Sequence, residues 1–280
     1  MESRNISVFS KIAAYFVMLV FTVLTIYPIA WLITQSFKTH QQFLTTSKLS
    51  LPTEWFFGNY ERVWSHWNFP NFLWNSIIYS VVSVVVIVII SNMAGFAFAK
   101  LDFKITKLLL GLFIIGLLLT IQSILIPLFL MIAAVGLFNT RLGVLIPYIG
   151  LGLPMAVYLN TDFIKKGIPD ELIESAKIDG ASFFRIFVSI IFPMSTPVSV
   201  TVAIITFIAS WNEFILMNLL TAGDTFKAIP ALVGRFAGAL GSDFGMLFAM
   251  LTLSLMPILI FYFIFRNKIT KGVAAGAIKG

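Results

Sequence analysis

The sequence predicts an all-α polytopic membrane protein with six transmembrane helices. Of its 280 residues, 59% are hydrophobic and only 11% are charged, and the mean hydropathy is +0.97. This balance lies outside that of soluble globular domains. A helix of roughly 20 apolar residues crosses a bilayer core of about 30 Å. Six stretches meet this requirement: residues 13–34, 73–97, 108–133, 142–163, 195–219 and 244–265.

The first stretch follows a short basic N-terminus and therefore invites comparison with a secretory signal. It is longer than a signal h-region of about 7 to 15 residues and lacks a clear small-residue cleavage site. We therefore expect it to be retained as a transmembrane helix.

The basic residues predict the orientation of the chain. Six spans place both termini on one side, and with the N-terminus inside, 13 of the 19 Lys and Arg residues fall on the inner side. Positive charge accumulates on the cytoplasmic side of membrane proteins. Both termini and the charged loop 164–193 are thus predicted to be cytoplasmic.

Residues 40–70 are predicted to lie outside the membrane. The segment is rich in aromatic side chains, which either form a belt at the bilayer interface or contact an outer partner. The sequence leaves both interpretations open. Its Trp and Tyr residues are Trp55, Tyr60, Trp64 and Trp67.

Polar residues within the spans are candidates for a translocation path, since polar groups at membrane depth usually face the bundle interior. They are Gln122 and Ser123, expected about midway along the third span, and Trp211, Asn212, Glu213 and Asn218 in the outer half of the fifth. The alternative for Gln122 is a hydrogen bond between helices. Glu213 could instead reach the outer headgroups.

The charged stretch 168–197 predicts two short helices joined at a glycine. Pro169 suits the first turn of a helix, and Asp170 and Glu171 place negative charge at the positive end of its dipole. Gly180 can adopt the left-handed conformation that ends a helix. Ser182 is expected to cap a second helix with an apolar side.

The first of these helices presents Glu174 beside the small residues Ser175 and Ala176. Another surface could approach the backbone closely there and pair with the carboxylate. The alternative is a solvated hairpin without a partner, and spacing alone does not decide between them.

A family resemblance favours docking. The residues Glu174-Ser175-Ala176, Ile178-Asp179-Gly180-Ala181-Ser182 and Phe192-Pro193 resemble the EAA loop of membrane subunits in binding-protein-dependent ABC importers, with Ser175 in place of the first alanine. The resemblance implies a type I ABC importer fold and a coupling loop that sits in a cleft of an ATPase subunit. The coupling residues it implies are Glu171, Glu174, Ser175, Ala176, Asp179 and Gly180.

Further residues resemble the second membrane subunit of maltose-type sugar importers. They are Ser36-Phe37-Lys38, Leu51-Pro52, Asn59-Tyr60, Asn75-Ser76, Trp211-Asn212-Glu213-Phe214 and the C-terminal run from Ala274 to Gly280. In that branch the outer loop between the last two spans reaches into the sugar site of the binding protein. The resemblance implies the same for residues 221–243, which could otherwise be an ordinary linker.

The resemblance therefore implies a sugar or oligosaccharide permease in a bacterial or archaeal cell membrane. Its expected partners are a second homologous permease subunit, two ATPase subunits, an extracytoplasmic solute-binding protein, the lipid bilayer and the sugar. An importer of glycerol phosphate or an amino acid is the nearest alternative. An ion-coupled secondary transporter would show paired interrupted helices and buried charge pairs, and the sequence indicates neither.

No enzyme site is predicted. The chain has no cysteine and two isolated histidines, His40 and His66, so we expect no metal site and no catalytic residue. It contains no GxxxxGK[ST] phosphate loop, so ATP and Mg²⁺ are expected on the partner ATPase. The net charge of +7 is spread between apolar segments, which argues against nucleic acid.

The expected organisation has three parts. Residues 1–70 hold the N-terminal tail, the first span and the outer segment. Residues 71–265 form the importer core with the coupling loop 164–193, and residues 266–280 form a cytoplasmic tail.

Overall fold

The structure is a computed structural model that describes residues 8–101, 103–238 and 243–277, and this part of the chain is helical without β-strands. A π-helical turn, Phe187–Ile191, links α9 to α10. The helices are α1 (Val8–Gln35), α2 (His40–Thr45), α3 (Gly58–His66), α4 (Phe69–Lys100), α5 (Thr106–Leu118), α6 (Ile121–Ala134), α7 (Arg141–Gly167), α8 (Asp170–Ile178), α9 (Phe183–Ile186), α10 (Phe192–Met194), α11 (Thr196–Asn212), α12 (Ile215–Leu220), α13 (Ile229–Gly238) and α14 (Phe244–Ala277).

Four helices, α1, α4, α7 and α14, are long and apolar enough to cross a membrane. They contain the first, second, fourth and sixth predicted spans. The described chain reaches six crossings only if two bent pairs each count as one. In the first pair α5 meets α6 at 106°, and in the second the segment Phe183–Met194 meets α11 at 74°.

The prediction of an uninterrupted third span, 108–133, is wrong. The helix ends at Leu118, and Leu119 and Thr120 have extended backbones with ψ of 119° and 145°. The fifth predicted span, 195–219, is also interrupted, since α11 ends at Asn212 and α12 begins at Ile215. Both sides of each break are apolar, and an average over 20 residues does not detect a change of direction.

The chain forms two compact units, one of Met1–Phe69 with Val233–Pro257 and the other of Pro70–Leu232 with Ile258–Gly280. The three-part division expected from the sequence assigns roles to segments, and a division by contacts does not test roles. It therefore stays a prediction. The last residues of the C-terminal run, 278–280, lie outside the described residues.

In the first unit, several residues of the maltose-type pattern contact one another at the end of α1. The Ser36 and Tyr60 hydroxyl oxygens are 2.6 Å apart, and the Asn59 amide donates to the Ser36 and Lys38 carbonyls at 2.8 Å. The Phe37 ring packs against Trp55, Phe57 and Tyr60. These residues therefore hold the segment after α1 in place.

Lys38 is fully buried in this unit. Its ammonium donates to the Ser47 carbonyl at 3.1 Å, the Ser50 hydroxyl at 3.1 Å and the Thr46 hydroxyl at 3.3 Å. Burial, together with the nearby charge of Lys48, lowers the pKa of Lys38. The side chain closes the turn that follows α2.

In the second unit, α7 is the central helix and packs against α5, α11 and α12. Its first half lies in an apolar cluster with Tyr79 and Met217, and Ala156 lies in a second cluster with Ile87. Ile164 near its end belongs to a third cluster. This last cluster positions the predicted coupling loop.

Candidate functional site

The charged stretch forms an elbow hairpin, a name we use for residues 168–194. Gly180 has φ of +78°, the left-handed conformation expected of a glycine that ends a helix. The Gly180 N–H donates to the Lys177 carbonyl at 3.0 Å, and the Ala181 N–H donates to the Ala176 carbonyl at 2.9 Å. These two bonds make a Schellman motif. The Ser182 hydroxyl caps α9 by accepting from the Arg185 N–H at 3.3 Å.

One expectation for the hairpin needs correction at its start. Pro169 precedes the first helical residue instead of being that residue, because α8 begins at Asp170. Asp170 and Glu171 still occupy the first turn, where negative charge is favourable.

The buried side of α8 anchors the hairpin. Ile173 is buried in the third cluster with Phe96, Ile164, Ile168, Ile186 and Ile191, and Ala176 packs against the same cluster. Ala176 follows Ile173 by three residues, shares its face and is half-buried, so its place among the coupling residues stays a prediction. Glu171, Glu174, Ser175, Asp179 and Gly180 are exposed.

The exposed side of the elbow is more apolar than the sequence suggested. Ile178 is 86% exposed and Phe184 is 73% exposed. Sequence reasoning did not select Ile178 as a docking residue, and Phe184 belongs to the second helix, for which it predicted only an apolar side. A signal was available, because Ile178 precedes the Asp-Gly end of α8 and cannot share the face of Ile173.

Lys100 tethers the start of the hairpin to the end of α4. Its ammonium donates to the Ile168 carbonyl at 2.6 Å and to an Asp170 carboxylate oxygen at 2.5 Å. The Lys100 side chain is 4% exposed, whereas that of Asp170 is 74% exposed. Sequence reasoning used Lys100 only for its charge and missed this role.

A cavity of about 240 Å³ lies beside the break between α5 and α6. Most of its lining is apolar, and the polar contributions come from Tyr148, Glu213 and the hydroxyl-bearing residues Thr206 and Ser210 of α11. The lining residues are Gly116, Leu117, Leu119, Ile121, Tyr148, Leu151, Gly152, Thr206, Ala209, Ser210, Glu213 and Leu216.

Glu213 bonds inside the protein instead of reaching the headgroups. One carboxylate oxygen accepts from the Leu216 N–H at 2.8 Å, and the other accepts from the Met217 N–H at 3.0 Å and the Tyr148 hydroxyl at 2.9 Å. It therefore caps α12, whose first N–H groups have no helical partner.

The other path candidates are distributed around the two breaks. Gln122 and Ser123 are exposed in the first turn of α6, not midway along a straight span as expected, and the Ser123 hydroxyl lies 2.8 Å from that of Thr120. Trp211 is buried and its ring is 5.5 Å from that of Phe207. The amides of Asn212 and Asn218 are exposed. Of the six predicted residues, Glu213 lines the cavity.

Sequence reasoning missed Tyr148, Thr206 and Ser210. Thr206 and Ser210 are four residues apart on α11 and hence share a face, which was a readable signal. Nothing near Tyr148 in the sequence indicates that it bonds a carboxylate on another helix.

The beginning of the loop 221–243 is hydrogen-bonded to α4. The Asn75 amide donates to the Thr225 and Lys227 carbonyls at 2.9 Å, and the Tyr79 hydroxyl donates to the Phe226 carbonyl at 2.8 Å. Residues 229–238 are helical in α13. Residues 239–242 lie outside the described residues.

Comparisons with known proteins agree with this architecture. The family of binding-protein-dependent transport system inner membrane components matches residues 91–274. A protein of Caldicellulosiruptor sp. strain Rt8B.4, named as an ABC transporter permease (ORF2), is 39% identical over 95% of this chain and 96% of its own. The trehalose/maltose transport system permease MalG of Thermococcus litoralis is 32% identical over 92% of this chain and 93% of its own.

A solved structure has the same fold. In the crystal structure of a bacterial ABC transporter involved in the import of the acidic polysaccharide alginate, one chain superposes with a TM-score of 0.80. The two sequences are 23% identical, and the match covers 95% of this chain and 98% of the other. The chain belongs to the family of inner membrane components of binding-protein-dependent transport systems.

Proposed function

We propose that this chain is the permease subunit of an ATP-driven importer for a sugar or oligosaccharide, with the elbow hairpin as its docking site for a partner ATPase. The observation that carries the proposal is the hydrogen-bonded elbow, which exposes Ile178 and Phe184 beside the carboxylates of Glu171, Glu174 and Asp179. Apolar anchors rimmed by charge are typical of protein interfaces.

The proposed assembly contains a second homologous permease subunit, two ATPase subunits that bind ATP and Mg²⁺, and an extracytoplasmic binding protein that delivers the sugar. The hairpin and both termini then lie in the cytoplasm of a bacterium or archaeon. Transport follows an alternating-access cycle, in which ATPase closure moves the hairpin and rocks the attached helices as rigid bodies.

The residues that line the cavity favour an uncharged solute. Its twelve lining residues in the described chain include hydroxyl groups and no lysine or arginine. A phosphorylated solute would favour a basic partner, so the lining favours a sugar over glycerol phosphate. The relative named for trehalose and maltose points the same way. This cavity is our candidate for the part of the path that this subunit contributes.

Interrupted helices were expected to mark a secondary transporter, and two bent pairs are present in the structure. The criterion therefore does not separate the two classes of transporter. Membership of the binding-protein-dependent family favours the ATP-driven importer.

Replacement of Ile178 by Ser tests the docking site. Ile178 has no role in the buried cluster, so folding should be preserved while the ATPase loses an apolar anchor. We expect ATPase retention to fall at least about tenfold when the complex is purified from membranes, the loss typical of an interface hot spot. ATP-dependent uptake of trehalose or maltose into proteoliposomes should fall with it.

Glu174→Ala tests the charged rim. If this carboxylate pairs with a basic ATPase residue at a closed interface, its removal should cost roughly 2 to 5 kcal/mol of binding. Glu54→Ala, which removes an exposed carboxylate outside the hairpin, is the matched control and should leave ATPase retention unchanged. Normal retention and uptake in both hairpin variants would show that the ATPase docks elsewhere.

A further inference from the structure

α4 is a single uninterrupted helix between two distant parts of the second unit. Its 32 residues extend about 48 Å at 1.5 Å per residue. Its only proline is Pro70 in the first turn, whereas α1, α6, α7 and α14 each contain proline farther along. Sharp helix kinks occur mostly at proline. The helix is therefore suited to move as one body.

The Lys100 end of α4 is bonded to the start of the elbow hairpin. Its ammonium bonds Ile168 and Asp170, the residues on either side of Pro169. Asp170 is the first residue of α8. Because the Lys100 side chain is almost completely buried, these bonds hold it in one position. The exposed Asp170 carboxylate alone would add little, and the bond to the Ile168 carbonyl is the firmer one.

The opposite end of α4 is bonded to the 221–228 loop. Asn71, Asn75 and Tyr79 lie four residues apart on one face and donate to carbonyl groups of residues 224–227. On an adjoining face, the Ser76 hydroxyl accepts from the Ile229 N–H at 2.9 Å. The carbonyl groups of residues 224–227 are thus bonded to α4, whereas the Ala222 N–H donates to the Asn139 amide oxygen at 2.9 Å, outside α4.

We infer that α4 is a strut that makes the 221–228 loop move with the elbow hairpin, with Lys100 and Asn75 as the positioning residues at its two ends. The inference rests on the proposed docking of the ATPase at the hairpin. Asn75 and Lys100 are 25 residues apart, about 37 Å along the helix axis. ATPase closure would pull the hairpin, the hairpin would move α4 through Lys100, and α4 would move the loop through Asn75.

The experiment follows the loop directly and needs no knowledge of the sugar. The chain has no cysteine, so Ala222→Cys gives a single labelling position on the exposed loop. The complex with its ATPase is purified, labelled with bimane, and treated with ATP and orthovanadate, which trap the closed ATPase. The fluorescence change of the label reports the loop, and ATP hydrolysis without vanadate is measured separately.

Lys100→Met removes both bonds at one end and keeps the length of the side chain, while Asn75→Asp replaces the amide donor at the other end by an acceptor of the same size. Each should reduce the bimane response at least about fivefold, the lower range of typical coupling between sites. Because Lys100 also holds the start of the docking hairpin, the bimane response and ATP hydrolysis are both expressed per ATPase that co-purifies, and hydrolysis on that basis should stay within about twofold of the unsubstituted complex. Lys104→Met, an exposed lysine near the same end of α4, should respond like the unsubstituted chain.

The double variant distinguishes a strut from two separate local defects. Effects of sites more than about 10 Å apart are normally independent, so unrelated defects would multiply their losses. A strut that is broken at one end no longer transmits motion, so a second break changes nothing. The bimane response of the double variant should therefore be no smaller than that of the single variant with the smaller response. Tyr79→Phe removes one hydroxyl donor and provides a milder test if Asn75→Asp does not fold.

The outcomes are distinct. A label that responds equally in Lys100→Met and Asn75→Asp, or losses that multiply in the double variant, would overturn the strut. If the unsubstituted chain retains and activates an ATPase but its label does not respond to trapping, the strut also fails while the proposed function stands. If no ATPase is retained by the unsubstituted chain, the proposed function itself fails.

Discussion

α4 and the α5–α6 pair looked alike in sequence, and the structure separates them. Each was expected to form one apolar span, α4 at residues 73–97 and the α5–α6 pair at residues 108–133. α4 continues as a single helix, whereas the chain after Leu118 turns by 106°. The difference teaches that hydropathy predicts which segments enter the membrane, and that contacts with neighbouring helices decide whether a segment stays one unbroken helix.

α4 continues without a break along close and polar contacts with α7 and α11. The Asn160 amide donates to the Ser91 hydroxyl at 2.9 Å, and the Asn92 amide donates to the Ser199 hydroxyl at 3.0 Å. Such bonds between helices stabilise association in membranes by roughly 0.6 to 2 kcal/mol each. Gly95 allows the backbone of α4 to approach Asn160 closely.

The α5–α6 break lies instead beside the cavity. Leu119 and Ile121 line it, and the extended backbone between them is where helical hydrogen bonds are lost. Irregular backbone at membrane depth is tolerated when it is buried in protein or lines a water-accessible cavity. The place of the break therefore has a physical reason that the segment itself does not contain.

The largest expected effect comes from filling the close contact of α4. A Cβ atom at Gly95 would lie 2.8 Å from the Asn160 Cβ and 3.0 Å from its carbonyl carbon, so a helix must shift. Gly95→Val should lower the stability by about 3 kcal/mol, at the upper end of overpacking costs. The measurement is the thermal unfolding midpoint of the purified protein in detergent.

Gly150→Val is the matched control, since a Cβ at Gly150 on α7 would meet no atom within 4 Å. Its unfolding midpoint should stay close to that of the unsubstituted chain. If both variants unfold alike, the contact between α4 and α7 is looser than the structure shows, and the explanation for the continuity of α4 is lost.

The sequence was informative where one segment carries its own signal. The Gly180 elbow and the Ser182 cap were readable because the residues that make them are neighbours in the chain. Glu213 was selected because it is an ionisable residue within a span, but its bond to Tyr148 joins residues 65 positions apart. The tether at Lys100 joins residues 68 and 70 positions apart. Pairings at such separations need the fold and cannot be read from spacing.

Glu213 provides an intermediate effect at the second break. Glu213→Ala leaves the N–H groups of Leu216 and Met217 and the Tyr148 hydroxyl without their acceptor, and a buried unsatisfied donor costs about 1 to 3 kcal/mol. We expect a lower unfolding midpoint and weaker protection of the Met217 amide against hydrogen exchange.

Two matched variants divide this effect. Glu213→Gln keeps one acceptor oxygen and should lose less stability than Glu213→Ala, while Tyr148→Phe removes a single hydroxyl donor and should lose less again. Unchanged amide protection in Glu213→Ala would mean that α12 does not depend on the cap.

The smallest expected effect concerns Thr120, and it decides whether the first break is encoded locally. Thr120→Leu removes the hydroxyl contact with Ser123 and supplies a better helix former. If the surroundings hold the turn, stability should change by less than about 0.5 kcal/mol, and the chain should remain bent. A cysteine placed by Gln122→Cys, which leaves Ser123 in place, should then react equally fast with a membrane-impermeant maleimide, with or without Thr120→Leu. Val85→Cys, on the exposed apolar side of α4, is the control that lipid should shield from the reagent. Loss of reactivity in the Thr120→Leu chain would mean that the helix has straightened, and that one residue, not the cavity and its neighbours, separates α5–α6 from α4.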